Sequence, residues 1–235
     1  NTSTDVNSDL AEVTKPNQSA SFMMMREDEF AHSDVYLSGP NQWPALQGFR
    51  EVCEAYAEAM TELGRKLMGL ALEAIGVTEQ GILKAFDTPT IWLRLLHYPP
   101  HPPQAAEDLY GSAPHKDFGC LTLLAQDDVG GLQVQTPAGE WVDAPPREDA
   151  FIVNVGDMLH RMSNGKLLST PHRVINTSGR ERYSVPFFFD PNVSTIVAPL
   201  PGTGTPKFDP LNFGDILRAE LGASYDAHHD DESTR

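Results

Sequence analysis

The chain has 235 residues, 40% of them hydrophobic, which is enough for one sizeable core with appendages and too little for two large independent domains. Its 17 basic against 33 acidic side chains give a formal charge of -16, which repels phosphate backbones and anionic bilayers, so no nucleic-acid partner and no membrane partner are expected. The same charge excludes general electrostatic steering of an anionic ligand, so any carboxylate has to be captured by a few placed arginines.

Residues 1–20 are rich in Asn, Ser, Thr and Asp and read as a mobile arm. Asn1 to Asp5 lacks the basic start and apolar centre of a signal peptide. The two cysteines, Cys53 and Cys120, are far from the density of a disulfide scaffold. With no apolar run long enough to span a bilayer, the expectation is a soluble, cytoplasmic protein. From Pro44 to Gly76, Leu46, Phe49, Val52, Cys53, Tyr56, Met60, Leu63, Leu67 and Leu70 recur at three- and four-residue intervals and predict a long helix that Gly76 terminates. After Thr88-Pro89 the texture changes to short apolar runs between turn signals. The runs are Ile91 to Tyr98, Leu121 to Ala125, Leu132 to Gln135, Trp141-Val142, Phe151 to Val155, His172 to Ile175 and Tyr183 to Phe189. Many short strands at this spacing predict a mainly β fold with flanking helices, a sandwich or jelly roll. Phe213 to Leu221 predicts a short helix, and the tail from Asp226 to Glu232 is charged and able to hold stray metal only weakly. The expected organisation is an arm and helical support over 1–88, the β-domain over 89–200, and a helix with an acidic tail over 201–235.

No glycine-rich phosphate loop occurs, so nucleotide handling has no support. His115 and Asp117 stand two apart, and on an extended segment their side chains point the same way. His172, in another predicted strand, is the natural third ligand. Two histidines and one carboxylate on one face of a metal leave positions open for non-haem Fe(II) oxygen chemistry, whereas zinc usually takes another set. Arg182 and Ser184 also share a strand face. A guanidinium fork with a hydroxyl beside it suits a carboxylate.

Taken in order, Tyr98-Pro99, His115-Lys116-Asp117, Asp128-Val129-Gly130-Gly131-Leu132-Gln133-Val134, Asn154-Val155-Gly156-Asp157, Ser163-Asn164-Gly165, His172-Arg173-Val174 and Arg182-Tyr183-Ser184 resemble the isopenicillin N synthase-like branch of the iron(II)/2-oxoglutarate-dependent dioxygenases. The likeness is strong over about residues 91–192 and extends to Asn41-Gln42-Trp43-Pro44 with the helix after it, while the strand usual ahead of that motif is not evident. The resemblance implies a double-stranded β-helix, a distorted jelly roll. It implies that His115, Asp117 and His172 bind Fe(II), that Arg182 and Ser184 grip the distal carboxylate of 2-oxoglutarate, and that Tyr98 borders that co-substrate. The implied activity is oxidation of a C–H bond of a small organic substrate by O2, as hydroxylation, desaturation or ring closure, with release of succinate and CO2. Ligation needs neutral imidazoles, so activity is expected to fall as the pH drops through the histidine range.

Where many plant members of that family have Asn before an aromatic pair, this chain has Leu96, and His97 replaces the first aromatic. His97, Phe118 and Phe189 are expected as substrate-pocket neighbours, with packing as their alternative role. Two rival functions stay open: an isopenicillin N synthase-type oxidase that uses Fe(II) and O2 without 2-oxoglutarate, and a non-catalytic jelly-roll binding protein with an incidental metal site.

Overall fold

A computed structural model describes residues 10, 15–27, 39–78, 80–102 and 109–225. Most of the predicted arm and the whole His-Asp tail lie outside the described residues. The strands are β1 (Ala20–Met25), β2 (Thr90–Tyr98), β3 (Ser112–His115), β4 (Leu121–Gln126), β5 (Leu132–Gln135), β6 (Trp141–Asp143), β7 (Ile152–Val155), β8 (His172–Val174), β9 (Arg182–Asp190), β10 (Ile196–Val197) and β11 (Leu211–Asn212). The helices are α1 (Phe49–Ala74), α2 (Asp157–Met162) and α3 (Phe213–Tyr225), with a 3-10 helix over Gln80–Phe86.

A larger sheet in the order β1-β2-β9-β4-β7 faces a smaller one in the order β3-β8-β5-β6, with all pairings antiparallel. From β2 to β5, and again from β6 to β9, successive strands alternate between the two sheets, which is the double-stranded β-helix expected above. A strand does stand ahead of the Asn-Gln-Trp-Pro motif: β1 pairs along β2 from Ala20↔His97 to Met25↔Trp92. The motif fastens it. Asn41 accepts from the Met25 amide and donates to the Met25 carbonyl, and Trp43 Nε1 donates to Glu27. Before β1, Asn17 and Gln18 hydrogen-bond to Ala113 and Tyr110, so this part of the predicted arm is tied to the β-domain.

The period of two along each strand divides the larger sheet into two faces. One face turns Ile91, Leu93, Leu121, Leu123, Phe187 and Phe189 toward α1, whose Cys53, Ala57, Met60, Met68 and Leu72 complete the main core. Gly64 lets the helix approach closely, since a Cβ there would stand 2.7 Å from the Phe189 ring. The apolar stripe read from the sequence is therefore packing. Gly76, at φ +81, ends α1 in the left-handed conformation that a glycine tolerates.

The opposite face presents Trp92, Leu96, Tyr98, Thr122, Leu124, Gln126, Ile152, Asn154, Arg182, Ser184 and Phe188 to the smaller sheet. Tyr98 packs there with Leu132 and Val174, joining the two layers. Among the described residues no helix is long and apolar enough to cross a membrane.

Candidate metal centre

His115 ends β3 and His172 begins β8, and the two are direct cross-strand partners, with ring centroids 4.3 Å apart. A register shift between Ser112 and His115 marks a bulge that aims the His115 ring inward. Asp117 follows in the turn to β4. One ligand atom from each of the three lies within 4.8 Å of the others. Asp117 Oδ1 is 3.8 Å from His115 Nε2 and 3.7 Å from His172 Nε2.

The surrounding groups set which atoms are available. His115 Nδ1 is 2.8 Å from the Ala113 carbonyl and His172 Nδ1 is 3.2 Å from that of Thr170, so each Nδ1 donates and each Nε2 is left as the inward lone pair. Asp117 is 7% exposed. Its Oδ2 accepts from Thr122 Oγ1 at 2.6 Å and Asn154 Nδ2 at 2.8 Å, which leaves Oδ1 facing the imidazoles. Burial alone would raise its pKa, but His172, His115 and these two donors hold the carboxyl below its ordinary value. The backbone joins in: Asp157 N donates to the Asp117 carbonyl and Gly156 N to that of Cys120. A Cβ on Gly156 would stand 2.3 Å from the Gly119 carbonyl, so only glycine permits this approach. Two imidazoles and one carboxylate oxygen converging in this way make a donor set that fits a divalent iron, of the kind that leaves coordination positions open.

Thr122 and Asn154 are outer partners of Asp117. Removing one, as Thr122→Val or Asn154→Ala, is expected to weaken Fe(II) binding by about 10- to 100-fold while the fold stays intact. Equilibrium titration with Fe(II) under anaerobic conditions reads this directly, and unchanged affinity in both variants would contradict it.

On β9, on the sheet face that also carries Thr122 and Asn154, Arg182 is fully buried, at 1% exposure. Its Nε donates to the Gly130 carbonyl and one Nη to Gln126 Oε1, while its guanidinium carbon stands 4.8 Å from the centre of the Tyr98 ring. The other terminal nitrogen, Nη1, is buried with no partner. Burial pulls the Arg182 pKa below its ordinary value. An orphaned donor on a buried cation calls for an anionic acceptor, and a carboxylate supplies one. Ser184, two residues along the same face and also buried, stands in line with it.

Two of the expected pocket neighbours belong elsewhere. Phe189 is fully buried against Phe86 and α1, on the face opposite Arg182, because seven residues separate them and side chains alternate. His97 adjoins Tyr98 and so points away from it; it stacks on Tyr183 and pairs with Glu181 on the outer face. The inward aromatic is Phe188, which clusters with Phe118, Trp92, Met23 and Met25. Phe118 alone of the three is on the metal side. Leu96 faces inward opposite Ser184, so an apolar side chain stands there.

The pH behaviour is also more specific than the sequence suggested. Burial and the neighbouring His172 push His115 down from 6.5 to about 4, against the pull of Asp117 and the Ala113 carbonyl. Between those values the unfolded chain takes up a proton that the folded, metal-free chain refuses, so stability at this group is lost as the pH falls from 6.5 toward 4. Asp190 acts oppositely: burial raises it from 3.8 to about 7, despite the Cys120 amide that donates to it, so its contribution is lost as the pH rises through that range. Replacing Asp190 with asparagine is expected to unmask the His115 dependence. Urea titrations of the metal-free variant should then show stability falling more steeply with acidification than in the wild type, by up to about 1.4 kcal/mol per pH unit for one proton. Equal slopes would contradict the assignment.

Residues 90–191 match the 2OG-Fe(II) oxygenase superfamily. The chain is 41% identical over 198 residues to a 2-oxoglutarate-Fe(II) type oxidoreductase of Emericella nidulans, covering 80% of this chain and 57% of that one. It is 41% identical over 191 residues to a 2-oxoglutarate-dependent dioxygenase of Monascus ruber, covering 76% of this chain and 57% of that one. A full-length Neurospora crassa protein crystallised with alpha-KG superimposes with a TM-score of 0.80 at 32% identity, covering 89% of this chain and 67% of that one. The chain thus spans little more than half the length of these two curated relatives. The facing sheets, the converging His-Asp-His ligand atoms and these likenesses agree, and the chain belongs to the 2OG-Fe(II) oxygenase superfamily.

Proposed function

We propose that this chain forms the catalytic domain of an Fe(II)- and 2-oxoglutarate-dependent oxygenase that oxidises a C–H bond of a small organic substrate with O2, releasing succinate and CO2. The observation that carries the reading is the unpartnered Nη1 of buried Arg182, on the same sheet face that fixes Asp117 through Thr122 and Asn154. His115, Asp117 and His172 would hold the iron; Arg182 with Ser184 would hold the far carboxylate of 2-oxoglutarate, and Tyr98 would form one wall of that subsite. Once bound, iron with 2-oxoglutarate supplies the O2-activating chemistry. The chain itself positions and excludes water. Thr122 and Asn154 keep one Asp117 oxygen directed inward, the two backbone carbonyls keep both imidazoles in the ligating tautomer, and the Phe118, Phe188 and Trp92 cluster supplies an apolar wall. The spacing of motifs supports placement in the isopenicillin N synthase-like branch, and the low cysteine content supports a cytoplasmic setting.

The test is O2 uptake by the iron-loaded protein with candidate small substrates. Uptake that requires added 2-oxoglutarate and yields succinate in step with O2 is the expected result. Uptake without 2-oxoglutarate would identify an oxidase instead, and no uptake with any co-substrate would favour a binding protein.

A further inference from the structure

Arg182 is the first residue of β9, and its cross-strand partner Tyr98 is the last of β2, so the pair stands where the ladder stops. Pro99 and Pro100, which follow Tyr98, have no amide hydrogen with which to extend the pairing. The geometry around the guanidinium is therefore set by three turns: residues 99–101 after β2, 127–131 between β4 and β5, and 175–181 between β8 and β9.

One buried side chain ties the first of these turns to the third. Asn176 is 2% exposed. Its Nδ2 donates to the carbonyls of Tyr98 and Pro99, each at 3.2 Å, and to that of Arg180 at 2.7 Å. Its Oδ1 accepts from Ser178 Oγ at 2.6 Å, and its own carbonyl accepts from the His101 amide at 2.8 Å. A side-chain amide has two N–H donors, so the carbonyls share them and both ends of the group are spent inside the protein. The preceding residue makes the link to the remaining turn. The Ile175 amide donates to the Gly131 carbonyl at 2.9 Å, and a Cβ on Gly131 would stand 2.6 Å from the Ile175 carbonyl, so the two segments are in tight contact. Gly130, beside it, supplies the carbonyl that accepts from Arg182 Nε. A further tie between these turns, the ion pair of Arg180 with Asp128, is exposed on both sides and contributes little.

We propose that Asn176 is a positioning residue of the co-substrate carboxylate site. By locking the end of β2 and the turn before β9 together against residues 127–131, it keeps the Tyr98 ring and the Gly130 carbonyl in place around Arg182, so that the partnerless Nη1 holds one direction. With its polar atoms already committed, Asn176 touches no ligand and acts through Arg182. Fixing the donor before the ligand arrives removes an ordering cost from binding. The metal ligands depend on other contacts, those to Ala113, Thr170, Thr122 and Asn154. The proposal rests on the reading of Arg182 as the anchor of 2-oxoglutarate.

Asn176→Ala and Asn176→Ser are compared with the wild type and with Asn164→Ala. Asn164 is a matched control: it is 3% exposed and bonds to the backbone of Thr203, Thr205 and Lys207, none of which belongs to the three turns around Arg182. Each protein is melted, titrated with Fe(II) anaerobically, and then titrated with 2-oxoglutarate while the visible band is followed. Both alanine variants are expected to melt at lower temperature, but only Asn176→Ala should weaken 2-oxoglutarate binding, by roughly tenfold, equivalent to about 1.4 kcal/mol. Its Fe(II) affinity should stay within about twofold of the wild type, a difference well under 1 kcal/mol. Asn176→Ser keeps one donor and should fall between, and it carries the comparison where the alanine variant does not fold. A double variant with Arg182→Gln should bind 2-oxoglutarate no more weakly than Arg182→Gln alone, because the group through which Asn176 acts is gone. Unchanged 2-oxoglutarate affinity in the Asn176 variants, an equal loss in Asn164→Ala, additive losses in the double variant, or a parallel loss of Fe(II) affinity would overturn the proposal. Failure of the oxygenase reading looks different: the wild type itself then gives no 2-oxoglutarate-dependent band, a result that overturns both.

Discussion

Replacing Asp117 with asparagine is expected to abolish useful Fe(II) binding, with affinity reduced by about a thousandfold, or ~4 kcal/mol, well beyond the effect of losing an outer partner. Asparagine is nearly isosteric and can still accept the hydrogen bond from Thr122, so the local fold has little reason to change. What disappears is the negative charge. Asp117 supplies the only carboxylate of the His115, Asp117, His172 cluster, and its Oδ1 faces both Nε2 atoms at under 4 Å. Without it two neutral imidazoles remain to hold a divalent ion that also loses its hydration. Thermal melting of the metal-free variant close to that of the wild type, together with loss of the Fe(II) binding isotherm, is the predicted pair of results. An unchanged isotherm would remove Asp117 from the ligand set. His172→Ala should lose binding likewise, since it deletes one of the two inward lone pairs.

The second large effect is at Arg182. Arg182→Gln is expected to weaken 2-oxoglutarate binding by about 100-fold or more, because two charge-assisted hydrogen bonds at roughly 1.5–3 kcal/mol each are lost. Arg182→Lys should recover only part of this, since an ammonium cannot present two parallel donors. The effect on the metal-free protein has two opposing parts. The substitution leaves the Gly130 carbonyl without its guanidinium donor, yet it also removes a buried cation whose Nη1 has no partner. A large loss of 2-oxoglutarate affinity beside a small change in melting temperature is therefore the signature of a ligand-binding arginine. The KM for 2-oxoglutarate should rise far more than kcat falls at saturation. A kcat loss with KM unchanged would place Arg182 elsewhere in the reaction.

Much of this arrangement is legible in the chain itself. The seven predicted β-runs became strands because short apolar segments bounded by Pro, Gly and Asn have few alternatives, and the long 3.6-residue periodicity after Pro44 could only be a helix with one buried face. β1 escaped because Ala20 to Met25 contains no β-branched residue and three methionines in a row, and its strand state comes from pairing with β2 and the Asn41 clamp. The short α2 had too few turns to show a period. At the site, the convergence of His115, Asp117 and His172 was legible from the H-x-D spacing together with the order of the motifs, whereas Thr122 and Asn154 were not, since their meeting at Asp117 depends on the β4–β7 register, where they are direct partners. The misplacement of His97 and Phe189 has a simpler origin: alternation from Tyr98 and Arg182 already assigns both to the opposite face, and that rule was available in the sequence.

The most direct test of the account is anaerobic addition of Fe(II) and then 2-oxoglutarate to the metal-free protein, followed by visible absorption, with His172→Ala and Arg182→Gln beside the wild type. The account predicts a weak charge-transfer band in the wild type that appears only when both are present, is absent in His172→Ala, and needs far more 2-oxoglutarate in Arg182→Gln. Iron bound without any such band, or a band that is indifferent to both substitutions, would contradict it.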